Sequence, residues 1–156
     1  MGNQLGQPGE KGNVAIRGAL LDCVGDPFYE PVAQAVRYFA DGLLVVRQGH
    51  IEAIGPYEEL QSQLGDIPLV DRRDCLLTPG FIDTHIHYPQ TGMIAAYGEQ
   101  LLEWLNRYTF PTERKFADPV YARSVAEVFL DELLKNGTTT ALVFAAVFPA
   151  SVDAFF

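Results

Sequence analysis

Basic residues are scarce in this chain: 11 Lys and Arg stand against 20 Asp and Glu, a formal net charge of −9 at pH 7. That balance favours solubility and argues against a nucleic-acid or anionic-membrane partner, either of which needs a basic face. Cysteine is nearly absent. Cys23 and Cys75 lie far apart and belong to no C-x-x-C pattern, which points to reduced, partly buried thiols in a reducing compartment. No apolar run approaches the ~18–20 residues of a membrane span, and the polar opening MGNQLGQPGEKGN is unlike a signal peptide, so the cytoplasm is the indicated compartment. Also missing are G-x-G-x-x-G and G-x-x-x-x-G-K-[ST], the phosphate-cradling loops, and G-x-S-x-G, the commonest sign of an acyl-transfer serine. Repeats and low-complexity tracts do not occur. What remains, with 48% apolar and 20% charged residues over 156 positions, is the composition of an ordinary globular protein.

The pattern along the chain changes character once. Residues 1–13, rich in Gly, Gln and Asn, read as a frayed tail. Val14–Leu21 is a β-prone run. Asp26-Pro27 marks a turn, and PVAQAVRYF suits a short helix or an irregular arm. From Gly42 to Ile54 two β-prone runs flank Gln48-Gly49, a hairpin signal in which Gly49 suits positive φ. His50, just after that turn, reads as solvent-facing. Pro56–Leu60 opens a short helix with acids in its first turn, and Ile67–Val70 and Cys75–Leu77 are further short strands. Residues 14–78 are thus a β-rich, sandwich-like segment. Past Pro79-Gly80, strands alternate with helices. Strand 81–87 leads into a Gly-containing loop at 88–97. A helix follows from about Glu99 to Tyr108, with Glu99, Glu103 and Arg107 outside its apolar stripe and Leu101, Trp104 and Leu105 expected against the sheet. A second helix is capped by Asp118, carries the stripe Tyr121, Val125, Phe129, Leu133, and stops at Asn136-Gly137. Thr138–Phe144 then reads as a second parallel strand, which implies a right-handed βαβ crossover. Ser151 is a candidate cap for one more helix.

Chemistry concentrates at the end of the strand 81–87. Alternation sends Phe81, Asp83, His85 and His87 to one face and Ile82, Thr84 and Ile86 to the other. Two imidazoles then leave the strand's carboxyl end together, a geometry that suits zinc, with Asp83 behind them to accept a ring N–H. The bland alternative for H-x-H is two solvated histidines, and for Asp83 a role in the turn. A zinc hydrolase takes three protein ligands and a water. Here His85 and His87 stand alone, His50 lies in the other segment, and no H-x-x-E offers a proton-shuttling glutamate.

The block PGFIDTHIH resembles the opening barrel strand of the metal-dependent amidohydrolase superfamily. Within it, YPQTGMIAAYGEQLLEWLNRYTFPTERKF and LLKNGTTTALVF resemble the guanine deaminases. The resemblance implies an α/β fold: the β-rich segment, then, over residues 79–156, the first β/α units of an incomplete TIM-type (β/α)8 barrel. Such a barrel takes about 250 residues, so the chain is expected to be an N-terminal fragment, inactive alone and, with its edges and apolar stripes uncovered, prone to aggregate, stay partly disordered or pair with a complementary piece. By matching position, His85 and His87 would be metal ligands, for one zinc per full-length site, with iron the alternative. His87, Tyr88, Pro89 and Gln90 would touch the purine, the Gln90 amide offering both a donor and an acceptor to guanine. The activity implied is hydrolysis of guanine to xanthine and ammonia by a metal-activated hydroxide, in a cytoplasmic, homodimeric full-length enzyme. Two alternatives stay open: another ring deaminase, such as one for cytosine, or a non-catalytic metal-binding or dimerising fragment. One departure is Phe148, where the family often has a histidine.

Overall fold

The computed structural model describes residues 12–98 and 100–156, in two compact units that divide between Pro79 and Gly80. Most of the 1–13 tail, and Glu99, lie outside the described residues. In the first unit, β1 (Val14–Cys23), β2 (Val36–Arg47), β3 (His50–Pro56) and β4 (Leu69–Leu77) form one sheet in the order β3–β2–β1–β4, with short helices α1 (Val32–Ala35) and α2 (Tyr57–Leu60) in the connections. The β2–β3 hairpin turns at Gln48 and Gly49, whose φ angles are 51° and 79°. Positive φ at both positions is the primed turn whose twist matches that of the strands. Asn13 Oδ1 accepts the Gln48 amide at 2.9 Å and holds the non-glycine residue there.

Four expectations for this unit are narrowed or corrected. PVAQAVRYF is helical only over Val32–Ala35, because Val36 already pairs with Cys23 and opens β2. The two short strands after residue 67 are one strand, β4, running parallel to β1 at the sheet edge. Its charged middle, Asp71-Arg72-Arg73-Asp74, looks like a loop in sequence but fits an edge strand, where charge discourages pairing with another chain. Among the described residues the unit is a single sheet with a small core of Ala15, Leu43, Val45 and Ile67, against which Tyr57, Leu60 and Leu64 pack, rather than two facing sheets. Both cysteines are exposed, not partly buried, since one ends β1 and the other lies on the edge strand.

The second unit pairs β5 (Phe81–His87) in parallel with β6 (Thr138–Phe144). Between them run α3 (Leu101–Trp104), α4 (Phe110–Glu113) and α5 (Pro119–Lys135); α6 (Pro149–Asp153) follows β6. Helix α5 is punctuated as its sequence indicates. Asp118 Oδ1 accepts the Val120 amide at 2.9 Å, and Gly137 stops the helix at φ 83°. Ala122, Ala126 and Phe129 bury its inner face against Tyr88 and Phe116, flanked by Tyr121, Val125 and Leu133.

The preceding helical stretch differs from its expected form. It begins at Leu101 and continues past Tyr108 to Ala117, through a wide π turn at Leu105–Thr109 in which the Phe110 amide reaches the Leu105 carbonyl. Pro111 explains the widening: it has no N–H to give and its ring crowds the carbonyl four residues back. Leu101 and Leu102 are 69% and 73% exposed. The two-stranded sheet already lies against α5, and what is left of it is too narrow to cover this stripe as well. Apolar strand residues such as Ile82 and Leu142 are exposed too, as an open parallel pair requires. Ser151 does not cap α6. Phe148 holds that position, and Ser151 is buried inside the helix, its hydroxyl donating to the Ala146 and Phe148 carbonyls. Among the described residues no helix is long and apolar enough to cross a membrane.

Two outcomes test these packing arguments. Tyr88 is fully buried and donates its hydroxyl to the Ser151 carbonyl at 2.6 Å; Tyr88→Phe should therefore lower the urea midpoint by the equivalent of about 1–2 kcal/mol. On β4, the Arg73 side chain and amide donate to the Asp71 carboxylate and hold its pKa down to about 2. An NMR titration of Asp71 should show that midpoint, and Arg73→Ala should raise it part of the way toward the ordinary value of roughly 3.9, since residue 73 keeps the main-chain N–H that donates to the carboxylate. Because the folded value is the lower one, the pair's contribution to stability is complete above the unfolded carboxylate value and disappears as pH falls through the folded midpoint.

Candidate functional site

Strand β5 positions the histidines by what it buries. Ile86 packs against the core that holds Tyr88, Phe116 and Phe129, so alternation turns His85 and His87 to the opposite face. Their Nε2 atoms stand 3.1 Å apart. Phe144, paired with His87 across the β5–β6 ladder, backs both rings: its centroid is 4.8 Å from that of His87, nearly parallel at 12°, and 4.5 Å from that of His85. Phe144 escaped the sequence reading. The signal was present, since parallel strands of equal length place their last residues side by side.

Two imidazole nitrogens bound to one zinc at about 2.0–2.1 Å and a near-tetrahedral angle lie about 3.3 Å apart. The observed spacing fits that bite, and the donor type suits the ion. Among the described residues no group of three or more His, Cys, Asp or Glu side chains comes together, so the pair is a partial ligand set. His50 is exposed at the start of β3, in the other unit. Asp83 Oδ1 accepts the main-chain amide of His85 at 3.0 Å; its carboxylate steadies the strand's exit through the backbone rather than through a ring N–H.

The segment after the histidines divides. Tyr88 and Pro89 are fully buried, which corrects their expected contact with substrate: Tyr88 points into the core because it falls on the Ile86 side of the alternation, its ring 5.1 Å from that of Phe116 and 4.6 Å from that of Phe155. Gln90 does face the same hollow as His85 and His87, a groove of about 620 Å³ that Trp104 also lines. The Trp104 indole N–H donates to the Ala96 carbonyl at 2.9 Å and ties the 88–97 loop to the helical stretch. Gln90 Nε2 donates to Glu113 Oε1 at 3.4 Å, a contact no local pattern announces. Phe148 is half-buried against the core.

A parallel strand–helix–strand unit with two imidazoles converging at the first strand's carboxyl end is the layout of a metal-dependent β/α hydrolase. Residues 76–155 match the Amidohydrolase family, and the chain belongs to that family. Guanine deaminase from Escherichia coli (strain K12) is 51% identical over 152 residues, which are 95% of this chain and 34% of that protein, and its solved structure superposes with a TM-score of 0.84. The structure of guanine deaminase from Bradyrhizobium japonicum matches 92% of this chain and 32% of its own at 42% identity and a TM-score of 0.86. The structure of guanine deaminase from C. acetobutylicum, with guanine bound in its active site, matches 92% of this chain and 32% of its own at 28% identity and a TM-score of 0.76. The chain spans about a third of the length of these relatives.

Calorimetric titration with zinc tests the pair directly. The chain should bind one equivalent, and His85→Ala and His87→Ala should each weaken binding by at least about tenfold, since each removes one of two donors.

Proposed function

We propose that this chain supplies two metal ligands and one wall of the substrate pocket of a guanine deaminase, which hydrolyses guanine to xanthine and ammonia. The observation that carries the reading is the convergence of the two imidazoles beside a groove, at Nε2–Nε2 3.1 Å. The identity to guanine deaminases along nearly the whole chain supports guanine as the substrate. A zinc ion held there supplies Lewis acidity, drawing the pKa of a water toward ~7; iron would suit the same imidazole donors.

The chain's own residues bind and orient. His85 and His87 would each offer an Nε2 lone pair to the ion. Phe144 packs on both and keeps them from turning away. Gln90 offers its amide to the purine edge from the groove wall. The setting proposed is the cytoplasm, where exposed thiols such as Cys23 and Cys75 stay reduced, and the form a homodimer, as the resemblance to guanine deaminases implies. A net charge of −9 disfavours nucleic acid and anionic membranes as partners.

A chimera tests the reading: this chain in place of the matching third of the E. coli enzyme. It should release ammonia from guanine, and His87→Ala should lower that activity by at least about a thousandfold, because catalytic zinc needs its third protein ligand. The 156-residue chain by itself should release none. A folded, metal-loaded chimera that deaminates another ring and leaves guanine untouched would overturn the assignment.

A further inference from the structure

The contact between Gln90 and Glu113 joins two segments separated by 23 positions. Both side chains are half-buried. Among the described residues Glu113 has no ion-pair partner, and its one side-chain hydrogen bond is the one from Gln90. A carboxylate only accepts, so it settles which end of the neighbouring amide turns toward it. One N–H of the Gln90 amide goes to Glu113, which fixes the amide's orientation and leaves its second N–H and its carbonyl oxygen, in a set order, on a side chain that lines the groove shared with His85 and His87.

The surrounding structure holds both partners in place. The Gln90 backbone follows the buried Tyr88 and Pro89, and the Thr91 hydroxyl donates to the Tyr88 carbonyl at 2.6 Å. Glu113 ends α4, just beyond the π turn at Leu105–Thr109. An extra residue in a helical turn rotates everything after it by roughly 100°, so the turn imposed by Pro111 also sets the direction in which Glu113 points.

We infer that Glu113 is a positioning residue: by accepting one Gln90 N–H it fixes the amide's orientation, so that the carbonyl oxygen and the second N–H meet the purine edge in one order and favour an edge that pairs donor and acceptor in that order. This deepens the guanine deaminase reading and rests on it for the identity of the substrate. Guanine's ring edge sets an N–H donor beside an acceptor; a purine edge with that order reversed would leave polar atoms of the amide unpaired, and a mismatch of that kind is disfavoured.

The test has two arms. In the 156-residue chain, NMR reads the Gln90 side-chain amide protons directly, with or without activity. Glu113→Ala should shift them and speed their exchange, while Glu113→Gln, which keeps an acceptor, should largely restore them. In the chimera, Glu113→Ala should raise KM for guanine about tenfold, the worth of one substrate hydrogen bond, with kcat within about twofold; Glu113→Gln should recover most of it. In a Gln90→Ala background, Glu113→Ala should add nothing. Gln90 resonances unmoved by Glu113→Ala, or an equal KM cost in the Gln90→Ala background, would overturn the inference. A chimera inactive on guanine would sink the substrate reading, and the amide resonances would still decide whether Glu113 sets the amide.

Discussion

Everything in the second unit turns on one alternation: Ile86 and Tyr88 go into the core, so His85 and His87 cannot. Tyr88 enforces it. Its ring is packed edge-on by Phe116 and Phe155, and its hydroxyl satisfies the Ser151 carbonyl inside α6. A slip of β5 by one residue would bury two imidazoles and expose a tyrosine, losing that hydrogen bond and the apolar contacts together. The same residue that keeps the histidines outward thus ties the strand's exit to the last helix of the chain.

The polar face inherits its order from apolar neighbours. Phe144 reaches the histidine rings because β5 and β6 run parallel and in step at their carboxyl ends. Asp83 acts on the backbone of His85, not on its ring. Gln90 is held by the buried pair before it, and Glu113 is aimed by a proline-induced widening of a helix. Among the described residues none of these supports joins the imidazole pair as a third donor, yet together they decide where the donors point. The contrast with the uncovered face is plain: Ile82, Leu142, Leu101 and Leu102 are apolar and exposed, because two strands and one long helix cannot enclose them.

Much of the fold was legible because it rests on short-range chemistry. Gln48-Gly49 announces a hairpin through its need for positive φ. Asp118, Pro119 and Gly137 bracket α5, and the one-residue gap in His85-x-His87 puts both rings on one face. Elsewhere the sequence misled. The charged run Asp71–Asp74 conceals an edge strand, whose charges only make sense once β1 is beside it. Leu101 and Leu102 have the periodicity of a buried stripe without a surface to bury it. Tyr88 and Pro89 look like pocket residues by their place after the histidines, and they are core.

Sequence alone therefore determined most of the elements, the caps of α5 and the face on which the imidazoles emerge, since propensity and strand alternation act over a few residues. Only the tertiary structure decided which apolar groups are enclosed, that Phe144 backs the pair, and that Glu113 meets Gln90. Burial and long-range hydrogen bonds depend on what the rest of the chain brings alongside, and no local pattern carries that information.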